Sequence, residues 1–186
     1  MNAIFESFKA RAEAVSAEVH RFATRPEALE FILSLLRDQG VLDGPEPGAL
    51  WADGSFQREA RPLLAGRAPG LGFEVTREAA ARVRIGISQM DWAVADTGTL
   101  VQDAAPVAQR LVSTLPPIHV ALAATGSILP DLAAVLGRIG PAQTGYVALI
   151  TGPSRTADIE RVLTIGVHGP ERLIIVFVDA FEGAVA

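Results

Sequence analysis

The first forty residues carry apolar side chains at the three- and four-residue intervals of amphipathic helices. This spacing predicts one helix over residues 3–22. A second helix is predicted to begin at Arg25-Pro26-Glu27, since proline fits the first turn of a helix, and to end at Gly40. Residues 1–44 are therefore expected to form an N-terminal helical segment, attached to a core built by residues 45–186.

After residue 48, short apolar runs alternate with stretches of helical spacing. Apolar runs of four to eight residues between turn signals are typical of buried strands. Strands are predicted at 49–52, 72–76, 92–95, 99–102, 118–124, 146–150 and 173–179, and helices at 55–64, 106–115, 127–139 and 157–165.

From residue 115 onward the predicted order is strand, helix, strand, helix, strand. The strand runs are continuously apolar, as expected where both faces of a sheet are covered. This pattern predicts a three-layer α/β/α fold with a mostly parallel sheet, and no linker divides the chain. We expect one domain over residues 1–186.

The composition of the chain excludes several classes of function. The 186 residues carry 16 basic and 21 acidic side chains, and an acidic chain with scattered arginines lacks the positive surface that nucleic acid requires. Cysteine is absent, so this chain cannot hold an iron–sulfur cluster through thiolates. No apolar run is long enough for a membrane span, and we expect a cytoplasmic protein.

One candidate ligand site is the segment Thr151-Gly152-Pro153-Ser154-Arg155-Thr156-Ala157-Asp158, between a predicted strand and a predicted helix. Ligands of α/β sheets bind beyond strand carboxyl ends, and helix N-termini favour anions. Arg155 supplies a cationic donor, Ser154 and Thr156 supply hydroxyls, and Asp158 is placed to orient Arg155 or a ligand hydroxyl. The alternative interpretation is an ordinary capped turn.

A second candidate is Asp96-Thr97-Gly98-Thr99, which interrupts an apolar stretch. Gly98 permits a tight turn or a close approach of the backbone to a ligand. Asp96 is the candidate catalytic carboxylate, and Thr97, Gly98 and Thr99 are candidate ligand-binding residues. The alternative is a hairpin turn in which Asp96 bonds its own backbone.

Gly126 and Ser127 follow another predicted strand and complete the candidate set. A helix cap by Ser127 is the simpler interpretation, but strand ends that lie close together would line one shared crevice with their amides. His119 falls in an apolar run and is predicted to be a core residue, whereas His168 is favoured as a helix C-terminal cap. The three histidines are too scattered to predict a metal site.

Two segments together resemble a known family. Ala95-Asp96-Thr97-Gly98-Thr99-Leu100-Val101, preceded by Gly86-Ile87-Ser88, is similar to the central signature of the LUD domain. The stretch from Thr151 to Glu160, followed by Gly166-Val167-His168-Gly169-Pro170, is similar to the C-terminal signature of the lactate utilisation protein C branch. The resemblance extends from about Gly48 to Asp179. Asp96 stands where the family often carries glutamate, which shortens its reach by one methylene.

The resemblance implies a fold like that of NagB, RpiA and CoA transferases. It also implies a role in oxidising L-lactate to pyruvate, alongside two partner proteins that carry iron–sulfur centres. From the resemblance and the absence of cysteine we expect a non-redox component that binds a small anionic ligand at the strand ends. The absence of cysteine agrees with this expected role, because electron transfer then takes place on the partners.

Two other functions stay open from the sequence. The chain is alternatively an independent enzyme on a phosphorylated or CoA-linked small molecule, with Asp96 as carboxylate and Arg155 as anion clamp. It is alternatively a structural or regulatory interaction module, for which neither residue is needed. The sequence leaves open the cofactor, the ligand and whether the chain alone is catalytic.

Overall fold

A computed structural model of the chain describes residues 2–140, 145–157, 163–165 and 168–181. Its helices are α1 (Asn2–Ala14), α2 (Arg25–Asp38), α3 (Ser55–Ala60), α4 (Arg77–Ala80), α5 (Val107–Thr114) and α6 (Leu132–Leu136). Its strands are β1 (Glu18–Phe22), β2 (Ala49–Trp51), β3 (Leu71–Gly72), β4 (Ile85–Gln89), β5 (Trp92–Val94), β6 (Thr99–Asp103), β7 (Ile118–Ala124), β8 (Ile128–Leu129), β9 (Val147–Ile150), β10 (Arg155–Ala157), β11 (Leu163–Ile165) and β12 (Arg172–Val178).

A six-stranded, all-parallel sheet forms the centre of the molecule, in the order β1-β12-β7-β4-β2-β3. All seven residues of β7 are buried, because helices and a second sheet cover its two faces. The continuous apolar runs that predicted a parallel sheet are therefore explained by burial on both sides. The prediction of an α/β fold with a mostly parallel sheet is confirmed.

The helix α2 shows how the sequence sets a local boundary. Thr24 accepts a hydrogen bond from the Glu27 amide, and the Glu27 side chain accepts one from the Thr24 amide. This reciprocal cap and Pro26 in the first turn fix the start of the helix where the sequence predicted it. Its apolar stripe, which includes Leu29, Ile32 and Leu36, packs onto one face of the parallel sheet.

The prediction of a helix over residues 3–22 is wrong in its last part. The helix α1 ends at Ala14, and Ser16 then adopts a left-handed backbone conformation, with φ +69°. Residues Glu18–Phe22 form β1, the edge strand that pairs in parallel with β12. The helical spacing of the apolar residues was misleading. Residues 18–22 form a strand because they pair with β12, which lies more than 150 residues away in sequence.

The first 22 residues are built into the core. Phe5 and Phe8 of α1 pack edge-on against Phe177 of β12, with ring centroids 5.6 and 5.1 Å apart. All three rings are buried in the apolar cluster on the second face of the parallel sheet. The N-terminal segment is thus a structural part of that core rather than an attachment to it.

A smaller, four-stranded sheet in the order β8-β5-β6-β9 lies over this second face. Its β5 and β6 form the antiparallel pair predicted around residues 96–98, and β9 pairs antiparallel with β6. The prediction for residues 146–150 was right about the strand, but the strand belongs to this second sheet.

Strand β4 of the central sheet was not predicted. Its Gly86 lets α5 approach closely, because a Cβ there would lie 1.9 Å from the Val112 carbonyl oxygen.

Candidate functional site

The Asp96 turn joins β5 to β6 at one end of the four-stranded sheet. Gly98 has φ +67°, and its amide donates to the Val94 carbonyl oxygen at 3.0 Å. The Asp96 amide donates to the Pro130 carbonyl oxygen at 3.1 Å. These main-chain bonds leave the Asp96 and Thr97 side chains exposed to solvent.

The second signature segment lies directly beside this turn. The antiparallel pairing of β6 with β9 places Thr151 next to Thr99, and their hydroxyl oxygens are 2.7 Å apart. Thr99 is buried, whereas Thr151 is exposed. The structure thus brings together two turns that are more than fifty residues apart in sequence.

The C-terminal end of α1 packs beneath both turns. A Cβ on Gly98 would lie 2.4 Å from the Ala12 amide nitrogen, and one on Gly152 would lie 2.6 Å from the Val15 carbonyl oxygen. Gly152 also has a left-handed φ of +72°. Both glycines are therefore required for the backbone to approach α1 closely, which is a structural role.

Arg155 extends from the second turn toward the corner between α1 and β1. Its Nη2 donates to the Ser16 hydroxyl at 2.6 Å, and the Arg155 side chain is exposed. The neighbouring Ser154 amide donates to the Pro170 carbonyl oxygen at 2.8 Å. Arg155 therefore lies on the same side of the molecule as the Thr99–Thr151 contact, at the outer end of α1.

The helix predicted over residues 157–165 is wrong at its described residues, 157 and 163–165. Residues Arg155–Ala157 form β10 and Leu163–Ile165 form β11, which pair antiparallel. Thr156 lies in β10 opposite Thr164. No helix begins in these described stretches, so they provide no helix dipole for the anion site that the sequence indicated. Asp158 and residues 166–167 lie outside the described residues.

Gly126 and Ser127 lie away from the Asp96 turn. Strand β8 runs parallel to β5 with Ile128 beside Ala93, so Ser127 lies at the opposite end of the four-stranded sheet from Asp96. This register puts Ser127 level with Trp92, four positions before Asp96, which corresponds to about 13 Å along an extended chain. Among the described residues, Gly126 and Ser127 therefore lie apart from the edge that the Asp96 and Gly152 turns form.

The cap predicted at Ser127 is also corrected. The Ser127 hydroxyl donates to the Ala124 carbonyl oxygen at 2.9 Å within a short 3₁₀ turn. The helix begins later, at Leu132, with Asp131 as its N-cap: Asp131 Oδ1 accepts from the Ala134 amide at 2.7 Å. The strand β8 occupies the residues between these two positions.

A glutamine cluster around the buried Gln102, at the carboxyl ends of β2 and β4, was not predicted. Gln102 Nε2 donates to the Gln89 carbonyl oxygen at 2.8 Å and to Gln109 Oε1 at 2.9 Å. Gln109 Nε2 in turn donates to the Asp53 carbonyl oxygen at 2.7 Å. Gln102 is 1% exposed, and its Oε1 has no hydrogen-bond partner among the described residues. The sequence signal that could have revealed this cluster was Gln102, a polar amide at the end of the predicted strand 99–102.

Asp91 lies beside this cluster, in the connection between β4 and β5. Burial raises the pKa of its carboxyl group to about 6, although the Asp103 amide donates to its Oδ2 at 2.5 Å. The nearby Asp103 carboxylate raises the pKa of Asp91 further. Asp91 therefore titrates closer to neutral pH than carboxyl groups usually do.

His119 is the buried core residue that the sequence predicted. Its Nε2 lies 2.8 Å from the Ser88 hydroxyl on the neighbouring strand β4. Its Nδ1 is buried and has no hydrogen-bond partner within the described ranges. Burial lowers the pKa of His119 to about 4, so the ring is neutral at physiological pH.

Neither a metal cluster nor a membrane span is found in the described part of the chain. No group of three or more histidine, aspartate or glutamate side chains there is arranged to hold a metal ion. Among the same residues, no helix has the length and apolar character needed to cross a bilayer.

The pattern of the LUD domain family matches residues 5–178 of this chain, which is nearly its whole length. The chain belongs to the LUD domain family. The two signature segments, joined through Thr99 and Thr151, thus lie at one edge of a LUD domain.

Curated relatives of this LUD domain include proteins named Lactate utilization protein C. The one from Exiguobacterium sp. is 40% identical over 111 residues, which cover 56% of this chain and 48% of the relative. The one from Macrococcus caseolyticus is 35% identical over 108 residues, which cover 55% of this chain and 47% of the relative. The chain therefore spans about half the length of the curated relatives it matches.

A solved structure of similar fold is a DUF162 family protein from Deinococcus radiodurans. It superimposes with a TM-score of 0.64, covering 95% of this LUD domain and 97% of that chain, at 16% sequence identity. At that identity the similarity establishes the fold alone.

Proposed function

We propose that this LUD domain takes part in lactate utilisation, as a non-redox component of a system in which iron–sulfur partner proteins take up the electrons when L-lactate is oxidised to pyruvate. Two observations support the proposal. Relatives at 32–40% identity carry the name Lactate utilization protein C. The chain has no cysteine, so any cluster held by thiolates belongs to a partner.

The proposed ligand site is the edge where the two signature turns meet, and the Thr99–Thr151 contact of 2.7 Å is the observation that carries it. A small anion there would bind the exposed Arg155 guanidinium, with Thr97 and Thr151 as hydroxyl donors. Asp96 is proposed as the group that accepts a proton from the ligand. The ligand donors are side chains, because the amides of Gly98 and Ser154 already donate to protein carbonyl oxygens.

The site is tested by titrating the purified chain calorimetrically with L-lactate and pyruvate. Loss of a hydrogen bond to a charged group costs about 1.5–3 kcal/mol, so Arg155→Gln is expected to weaken binding roughly 10- to 100-fold. The control Arg82→Gln removes the same charge from an exposed arginine elsewhere. Equal affinity in the Arg155 variant and the control would contradict the proposed site.

The role in lactate utilisation is tested in cells. Deleting the gene is expected to abolish growth on L-lactate, and the wild-type gene is expected to restore it. Asp96→Asn and Arg155→Gln are expected to fail in this complementation while still yielding folded protein. Full growth of the deletion strain on L-lactate would refute the proposed function.

The alternatives give different results in the same experiments. Binding of a sugar phosphate or a CoA ester, with no response to lactate or pyruvate, would indicate an independent enzyme. Full complementation by both site variants would indicate a structural or regulatory module. Co-purification of cysteine-rich proteins with the tagged chain tests the iron–sulfur partners.

A further inference from the structure

A separate pocket of about 230 Å³ lies between α2 and α3. These helices follow the carboxyl ends of β1 and β2, which is where ligands bind in parallel α/β sheets. Its walls are mainly apolar and include Leu29, Phe56, Ala60 and Leu63. The volume is below the range of about 300–1,000 Å³ that drug-sized ligands occupy, so the pocket suits a smaller molecule.

Arg25, at one side of this pocket, has an incompletely satisfied guanidinium group. Its Nη1 pairs with Glu59, which also lines the pocket. Its Nε is buried and lacks a hydrogen-bond partner among the residues that the structure describes. The guanidinium carbon lies 5.3 Å from the ring centroid of Phe181, so the aromatic ring holds the cation near the pocket.

Glu59 is a weak partner for Arg25. The Arg25 and Glu59 side chains are 36% and 53% exposed, and ion pairs between exposed side chains contribute little because water competes for both charges. A ligand that enters from the pocket reaches the terminal nitrogens of the Arg25 guanidinium, because the buried Nε is closed to it. A carboxylate offers two oxygens to the planar guanidinium and can make two parallel hydrogen bonds with it.

We propose that this pocket binds a small monocarboxylate with an apolar tail. The carboxylate replaces Glu59 on Arg25, and the tail lies against Leu29, Phe56 and Leu63. Lactate is a poor fit, because its hydroxyl group would lie unpaired against apolar walls. The site shares no residue with the Asp96–Arg155 edge and does not depend on the proposed role in lactate utilisation.

The ligand class is tested with acetate, butyrate and hexanoate, titrated into the ¹⁵N-labelled chain and followed by NMR. Burial of each methylene is expected to tighten binding about fourfold, and the shifted amides are expected to include Phe56 and Ala60. The neutral analogue hexan-1-ol is expected to bind at least tenfold more weakly than hexanoate. Equal binding of the alcohol, or shifts confined to other elements, would overturn the proposal.

Two variants test the roles of the charged pair. Glu59→Gln removes the internal competitor and is expected to tighten hexanoate binding about two- to fivefold. Arg25→Gln is expected to weaken it at least tenfold. The matched control is Glu30→Gln on α2, which breaks the surface pair with Arg67 at 2.8 Å and is expected to leave hexanoate affinity unchanged.

A third variant keeps the test decisive if Arg25→Gln does not fold. Leu63 is 58% exposed, so Leu63→Ser is expected to fold normally while removing part of the apolar wall. Hexanoate affinity is then expected to fall several-fold while acetate affinity stays the same. Unchanged hexanoate affinity in both Leu63→Ser and Glu59→Gln would refute the site.

Discussion

The buried His119 is predicted to make the fold sensitive to acid. In the folded chain its pKa is lowered from 6.5 to about 4 by burial, whereas in the unfolded chain water surrounds the ring. The unfolded state therefore takes up the proton more readily below pH 6.5. The contribution of His119 to stability is complete above pH 6.5 and is lost as the pH falls toward 4.

The magnitude follows from the two pKa values, 6.5 and about 4. At about 1.36 kcal/mol per pH unit, the loss reaches about 3 kcal/mol, a large part of the 5–15 kcal/mol that stabilises a typical domain. Burial sets the direction of the pKa shift, and no acceptor within the described ranges contacts Nδ1 to offset it.

The assay is urea unfolding of the wild type and His119→Gln at several pH values between 7 and 4. The quantity compared is the difference between their free energies of unfolding, because contributions shared by both proteins cancel. Asp91 is such a shared contribution, and its raised pKa acts in the opposite direction. The wild type is expected to lose its advantage over the variant, by up to about 3 kcal/mol, as the pH falls.

The control Ser88→Ala removes the hydroxyl that contacts Nε2 but keeps the titrating ring. It is expected to lower stability while retaining the acid-dependent loss of the wild type. A difference between wild type and His119→Gln that does not change with pH would refute the reasoning.

Two further predictions concern packing on α1. Gly98→Ala is expected to destabilise the fold by at least about 1–3 kcal/mol, measured by thermal or urea unfolding, because its Cβ would lie 2.4 Å from the Ala12 amide nitrogen. The matched control is Gly66→Ala, where φ is also positive (+73°) but no atom lies within 4 Å of the new Cβ; equal losses would contradict the close approach. Phe177→Ala is expected to cost about 3–5 kcal/mol in the same measurement, because the ring is fully buried and packs edge-on against two phenylalanines of α1. A loss below about 1 kcal/mol would show that α1 does not depend on this contact.

The candidate site was predictable only in part. Both turns were recognised from their sequence, because glycine beside small polar residues marks a turn in any fold. Their contact through Thr99 and Thr151 depends on the pairing of β6 with β9, which no local pattern reveals. The separation of Ser127 from Asp96 has the same cause, since the parallel pairing of β8 with β5 decides it.

The sequence by itself determined the features that depend on neighbouring residues or on composition. The cap of α2 at Thr24, the fully buried strand β7 and the exclusion of thiolate-held clusters all belong to this group. The tertiary structure alone decided that residues 18–22 form a strand, because an edge strand gains its hydrogen bonds from a distant partner. It also decided that the residues after Gly152 form β10 rather than a helix, and that Arg25 lines a pocket. Local propensity is weak compared with such long-range pairing and packing, so those features followed from the fold as a whole.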